Sequence, residues 1–411
     1  MMEFRYEILP TDFGSRVLLI PRTAPLVSFQ IWVRAGSKYE RPGITGISHM
    51  LEHMMFKGSR NYGPQEHARR VQEMGGEFNA FTAHDKTVYF ENISPEYLEE
   101  IVKMEADRFL YPSFDPREFS REKEVVMEER KLRTDNSPYG KAEEELFALA
   151  FQAHPYHWPI IGWASDIENF SREALVSYFR ERYTPSNSFF VLCGQIPDNA
   201  LRLVEKYFGA WKGGKPQDPP MPREPEQRGS RRSEMIMDVK LPFVFLGFVT
   251  PGYCHGDFVL LSLIDRILTE GESSRLWQSL VHKEALASRA GGGIYPMGDY
   301  SLFFFYGVSQ GEGDVEALEA ALVKEIVNYE LEPPELEKAR NQVLAETVSS
   351  LERSYYTGIS AGEGLINCGE PGTFLRQLER IKGARVEDVL EVWGKYLKEE
   401  RRNTVLIRGK G

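Results

Sequence analysis

The stretch 213–233, GGKPQDPPMPREPEQRGSRRS, constrains the fold more than any other part of the chain. Proline, glycine and mixed charge with almost nothing apolar cannot build a packed element, so it reads as an extended linker. It divides the 411 residues into parts of similar size, 1–212 and 234–411. Both parts begin alike. Residues 16–21 and 26–35 are β-rich runs, followed by a Gly/Ser/Pro loop and a helical pattern from about Thr45. Residues 235–239 and 243–249 are again β-rich, followed by a Pro/Gly turn and a helical pattern from about Phe258. Each part closes on a further strand, at 189–193 and 403–407. The predicted fold class is α+β: two related units, each an antiparallel sheet with packed helices, joined by the linker.

Composition narrows the function. Hydrophobic residues make up 42% of the chain, enough for a sizeable core, which excludes disorder over most of its length. The net charge of −11 repels phosphates and anionic lipid, which argues against a broad nucleic-acid or membrane surface. The most apolar short stretch, 241–249, contains Pro242 and Gly247 and is too short to span a bilayer. Cys193, Cys254 and Cys368 are far apart and odd in number, and are expected to be unpaired, buried and in a reducing compartment. The first residues show no basic segment followed by a long apolar run, and no Arg/Ser-rich amphipathic helix. Together these lead to the expectation of a cytoplasmic, bacterial protein.

The chemistry is concentrated in Gly46-Ile47-Ser48-His49-Met50-Leu51-Glu52-His53-Met54-Met55-Phe56. At 3.6 residues per turn, His49 and His53 lie one above the other on one helix face, where two imidazoles can bind one zinc ion. Glu52 lies beside that face, placed to take a proton from water at the ion without being a ligand. The order is HxxEH, the inverse of HExxH. Ile47, Met50, Leu51, Met54, Met55 and Phe56 make the helix apolar on most sides, so its polar atoms need partners, and a metal ion supplies one.

A histidine pair needs a third ligand. The segment Phe119-Ser120-Arg121-Glu122-Lys123-Glu124-Val125-Val126-Met127-Glu128-Glu129-Arg130 reads as a glutamate-rich helix. Glu122 and Glu129 share a face, and Glu128 points aside. Glu129 toward the metal with Glu122 behind it is one arrangement; solvated glutamates, the ordinary condition on a helix, are the other.

Several segments resemble the M16 metallopeptidases, the family of pitrilysin, insulysin and the mitochondrial processing peptidase, in its short two-domain bacterial branch. They are 32–37, 49–59, 75–82, 121–129, 154–156, 183–187 and 273–276, reaching over nearly the whole chain. The resemblance implies that His49, His53 and Glu129 hold one Zn2+, that Glu52 is the general base and that Glu122 supports the site. It also implies that Asn79, Ala80, Phe81 and Thr82 form an edge strand that pairs with an extended peptide. Residues 1–212 would be the zinc-binding half, 213–233 the linker, and 234–411 a homologous half without a metal site, whose first helix, from Phe258, has no histidine pair. The two units together would form one half of a clamshell chamber.

The second half departs from the family pattern. An active member carries an arginine and a tyrosine seven positions apart that hold the substrate carbonyl; Val281 and Ser288 stand there instead. The expected activity is therefore that of a zinc endopeptidase for short unfolded peptides, whose missing pair comes from a homologous subunit in a heterodimer. A homodimer of altered activity and a non-catalytic structural relative are the alternatives.

Overall fold

The computed structural model describes residues 4–311 and 314–410. Eleven strands among them form two sheets. The first contains β1 (Glu7–Pro10), β2 (Arg16–Pro21), β3 (Val27–Val33), β4 (Glu77–Thr82), β5 (Thr87–Ile93) and β6 (Ser188–Gly194), in the order β1-β2-β6-β3-β5-β4. The second contains β7 (Arg231–Met237), β8 (Phe243–Pro251), β9 (Ala287–Tyr295), β10 (Tyr300–Ser309) and β11 (Asn403–Gly409), in the order β7-β11-β8-β10-β9. Without β1 the two orders are the same, strand for strand. Each sheet is antiparallel except for one pair, and that pair is also equivalent: β2 with β6, and β7 with β11. A shared order with a shared exception is what duplication of one unit produces.

Sequence and structure differ at β7. Its strand begins at Arg231, inside the stretch expected to be linker. Arg231, Ser233, Met235 and Met237 are half-buried while Arg232, Glu234 and Ile236 are exposed. A sheet edge tolerates that polar alternation because only one neighbour, β11, must be matched.

Each sheet has two covered faces. One face of each packs on helices of its own half, forming two large cores. The opposite faces are exchanged. The helix Pro138–Ala150 of the first half lies on the second sheet, where Ala142, Leu146 and Phe147 meet Phe243, Phe245 and Val405. The helix Ser354–Cys368 of the second half lies on the first sheet, where Ala361 and Leu365 meet Leu18, Trp32 and Val191. Gly362 permits that close approach: a Cβ there would stand 2.2 Å from the Trp32 ring. The halves are therefore interlocked rather than merely tethered.

One expectation is overturned. Cys254, in the loop after β8, and Cys368, at the end of the helix on the first sheet, form a disulfide. Odd number and wide spacing did not exclude it, because folding brings together positions 114 residues apart. Cys193 is free and buried, as expected. The unpaired cysteines that pointed to a reducing compartment are thus not all unpaired. No helix among the described residues is long and apolar enough to cross a membrane.

Candidate metal centre

The HxxEH segment forms the helix Ile47–Met55, referred to below as the motif helix. Ile47, Met50, Leu51, Met54 and Met55 are buried in the first core, which fixes the helix's rotation and turns the histidines toward the remaining side. Its start is held tightly. Both Glu40 oxygens accept from backbone N–H groups, of Gly46 and Ser48, at 2.7 Å each. An acidic side chain there also complements the helix dipole. Burial nevertheless pushes the Glu40 carboxyl up to about 8. Gly46 has φ 86°, and a Cβ on it would lie 2.2 Å from the Ile161 carbonyl oxygen, so only glycine serves at this contact.

The glutamate-rich segment forms the helix Pro116–Arg130, started by Pro116 and by the Asp115 carboxylate, which accepts from Arg117 and Glu118 N–H. It packs against the motif helix and brings Glu129 to both histidines. Glu129 Oε2 lies 3.8 Å from His49 Nε2 and 3.5 Å from His53 Nε2. Two ligands about 2.0–2.2 Å from a tetrahedral ion stand about 3.3–3.6 Å apart. The His53 pair falls in that range and the His49 pair just outside it; all three donors lie within 4.8 Å of one another, close enough to hold one metal ion, and an N/N/O set suits zinc. Burial, then the neighbouring His53 and Arg133, push His49 down to about 3, which leaves a neutral imidazole with a free lone pair. Glu128 is exposed and pairs with Lys131, away from the site.

The flanking groups each have a dedicated partner. Glu122 Oε1 accepts from His53 Nδ1 at 2.8 Å. Glu122 is buried, yet the hydrogen bonds from His53 and Lys57 outweigh burial and hold its carboxyl below the ordinary range. Glu52 Oε2 accepts from the Thr82 hydroxyl at 2.6 Å. Burial, opposed by that bond, raises the Glu52 carboxyl. Arg133 forms an ion pair with Glu129 Oε1 at 2.8 Å.

Asn79, Ala80, Phe81 and Thr82 lie on β4, which among the described residues pairs only with β5 and is the open edge of its sheet. The Ala80 N–H does not enter the ladder; it donates to its own neighbour's Asn79 Oδ1 at 2.9 Å. A cleft of about 430 Å³ runs from His49, Thr82 and Glu129 to Trp158, Ile161 and the tip of the β9–β10 hairpin at Tyr295 and Met297. That tip is held against the first half by Asp85, which accepts from Gly298 N–H at 3.0 Å and from the Tyr156 hydroxyl at 2.7 Å. Lys38 bridges Asp85 and Asp299 from the same place.

Val281 packs against the second core, and the Ser288 hydroxyl donates to the Val308 and Ser309 carbonyls. Neither lines the cleft. Sequence reasoning missed Lys57, Thr82 as the Glu52 partner, Arg133 and the hairpin tip. Lys57 and Arg133 each left a signal, since they follow His53 and Glu129 by four positions, the spacing of neighbours on a helical face. A second trio, His67, Glu91 and Glu105, is also close enough to hold an ion. There Arg108 already sits beside the carboxylates, 2.6 Å from Glu105 and 3.8 Å from Glu91. The cluster is a buried ion-pair network.

Residues 16–162 match the family model described as insulinase (peptidase family M16), and 169–343 match that of the peptidase M16 inactive domain. The chain is 31% identical to the zinc protease PqqE of Helicobacter pylori, over 98% of this chain and 93% of that one. It is 27% identical to an uncharacterized zinc protease, YmxG of Bacillus subtilis, over 92% of each. The crystal structure of a protease from Helicobacter pylori superposes with a TM-score of 0.94 at 30% identity, over 99% of this chain and 100% of that one. At 18% identity, the structure of a peptidase M16 inactive domain from Pseudomonas fluorescens shares the fold, covering 99% of this chain and 98% of that one with a TM-score of 0.88.

Proposed function

We propose, from the premise that this chain belongs to the insulinase family of peptidases, M16, that it is a zinc-dependent endopeptidase for short, extended peptides. One observation carries the reading: His49 Nε2, His53 Nε2 and Glu129 Oε2 converge on one point, with Glu52 on the same helix as the histidines and the open strand edge next to it. His49, His53 and Glu129 would hold one zinc ion, and Glu122 would fix the His53 ring. Bound zinc supplies a Lewis acid that polarises the scissile carbonyl.

The chain's own residues do the rest. Glu52 takes the proton of the attacking water and delivers it to the leaving nitrogen. The Thr82 hydroxyl holds one Glu52 oxygen, so the other is free to face the water. The edge formed by Asn79, Ala80, Phe81 and Thr82 pairs with substrate backbone as an added strand, which demands an extended peptide and reads little of its sequence.

The substrate-carbonyl contact is the missing part. The positions of Val281 and Ser288 favour a homologous subunit as its source, in a heterodimer that closes the chamber. A second reading, a homodimer active with its own groups, is favoured by Arg133, an exposed guanidinium on the cleft wall beside Glu129. The organisms of the relatives support a bacterial home.

The test is to purify the chain alone and with a homologous subunit, then to measure zinc content and cleavage of an unstructured peptide. About one zinc per chain, with cleavage strongly enhanced by the partner, is the expected result. Full cleavage by the chain alone would transfer the role to its own residues. Absence of zinc from both samples would remove the peptidase reading.

A further inference from the structure

The Glu122 carboxylate is shared between two donors. Oε1 accepts from His53 Nδ1 at 2.8 Å, and Oε2 accepts from Lys57 Nζ at 2.6 Å. The Glu122 side chain is 6% exposed and that of Lys57 31%. Lys57 lies just beyond the C-terminus of the motif helix, its N–H bonded to the Met54 carbonyl at 3.1 Å. A cation there also complements the negative end of the helix dipole. Both donors come from one rigid element, so the carboxylate is clamped between a side chain on the helix and one at its end.

We propose that Lys57 is a positioning residue of the metal centre: by holding Glu122 Oε2 it fixes the rotation of the carboxylate, which in turn fixes the His53 ring with Nε2 aimed at Glu129. The inference rests on the zinc-site reading above. A carboxylate held at one oxygen can turn about its last torsion, a broad and soft one. Without Lys57 the second oxygen is left in a nearly closed environment with no donor, which is costly. The carboxylate then turns to find another partner, and the His53 ring is released. Groups that orient a metal-bound imidazole in this way typically change metal affinity about 10–100-fold when removed.

The competing role is that of a simple stabilising ion pair. The variants K57M, which keeps length and loses the donor, and K57R, which keeps the charge, separate the two. The measurements are zinc affinity by chelator competition, the visible spectrum of the cobalt-substituted protein, and the melting temperature of the metal-free protein. The expected result for K57M is zinc affinity about 10–100-fold weaker and an altered cobalt spectrum, with metal-free melting lowered only by the loss of one ion pair. K57R should recover most of the affinity, and K57M combined with E122Q should bind no more weakly than E122Q alone. K57Q replaces K57M if the latter does not fold. Unchanged zinc affinity and cobalt spectrum in K57M overturn the inference and leave the metal site standing. Additive losses in the double variant overturn it as well. A parent protein that binds no zinc at all overturns the metal site itself and this inference with it.

Discussion

Glu129 lines the cleft while Glu52 stands behind Thr82, and their substitutions should separate cleanly. Thr82 holds Glu52, which makes no contact that a zinc ligand would need, whereas Glu129 faces both imidazoles. Glu52→Gln should therefore keep zinc and lose about 10²–10⁴-fold in turnover, the range for a general base. Glu129→Gln should lose zinc as well as turnover. Zinc content and peptide cleavage on the same preparations check both; turnover near the parent level in Glu52→Gln would sink the assigned base, and full zinc in Glu129→Gln would sink the assigned ligand. The histidine pair and Glu52 were legible in the sequence because a single helix fixes their relation. Glu129 was not, because spacing along one helix does not tell which face meets another helix; the family resemblance singled it out. Thr82 was invisible as a partner, since its bond to Glu52 depends on where β4 comes to rest against the motif helix.

At the scale of elements, β4 combines two properties seldom found together: it lies on a sheet edge, and it stands against the metal centre. Its alternation follows from pairing. Ala80 turns its N–H away from β5, and its neighbours Asn79 and Phe81 turn theirs toward it. In the free protein Asn79 Oδ1 occupies the Ala80 donor, which blunts the open edge until a peptide displaces it. Ala80→Pro removes that outward N–H alone. Because no ladder bond is lost, stability should change by less than about 1 kcal/mol, while KM for an extended peptide should rise about 3–10-fold, the worth of one hydrogen bond. Melting and steady-state kinetics decide it: an unchanged KM would mean that substrate does not pair at this edge. The edge itself was not read from the pattern of residues; the family resemblance of 75–82 implied it. The start of β7 was not legible either, because a half-exposed edge strand carries the same polar composition as a linker.

For the whole molecule, duplication was readable from the repeated strand pairs, but the exchange of helices between halves was not. A helix's apolar stripe shows that it must be buried, not which sheet will bury it. Pro138–Ala150 and Ser354–Cys368 each choose the sheet of the other half, so each half completes its neighbour's core. The Cys254–Cys368 bond sits on this seam: Cys254 leaves the second sheet after β8, and Cys368 ends the helix that covers the first. It closes a loop of 114 residues and therefore restricts the unfolded chain strongly, for a contribution of about 2–4 kcal/mol. Spread over a chain of this size, that corresponds to about 2–5 °C in melting temperature. Cys254 is exposed, so a mild reductant reaches the bond without unfolding the protein. Thiol titration in denaturant should find one free group, Cys193, before reduction and three after it. Cys254→Ser should lower melting by the same few degrees and abolish the effect of reductant. Three thiols in protein purified without reductant would mean that packing alone holds the seam, and would restore the reducing compartment that the bond argues against.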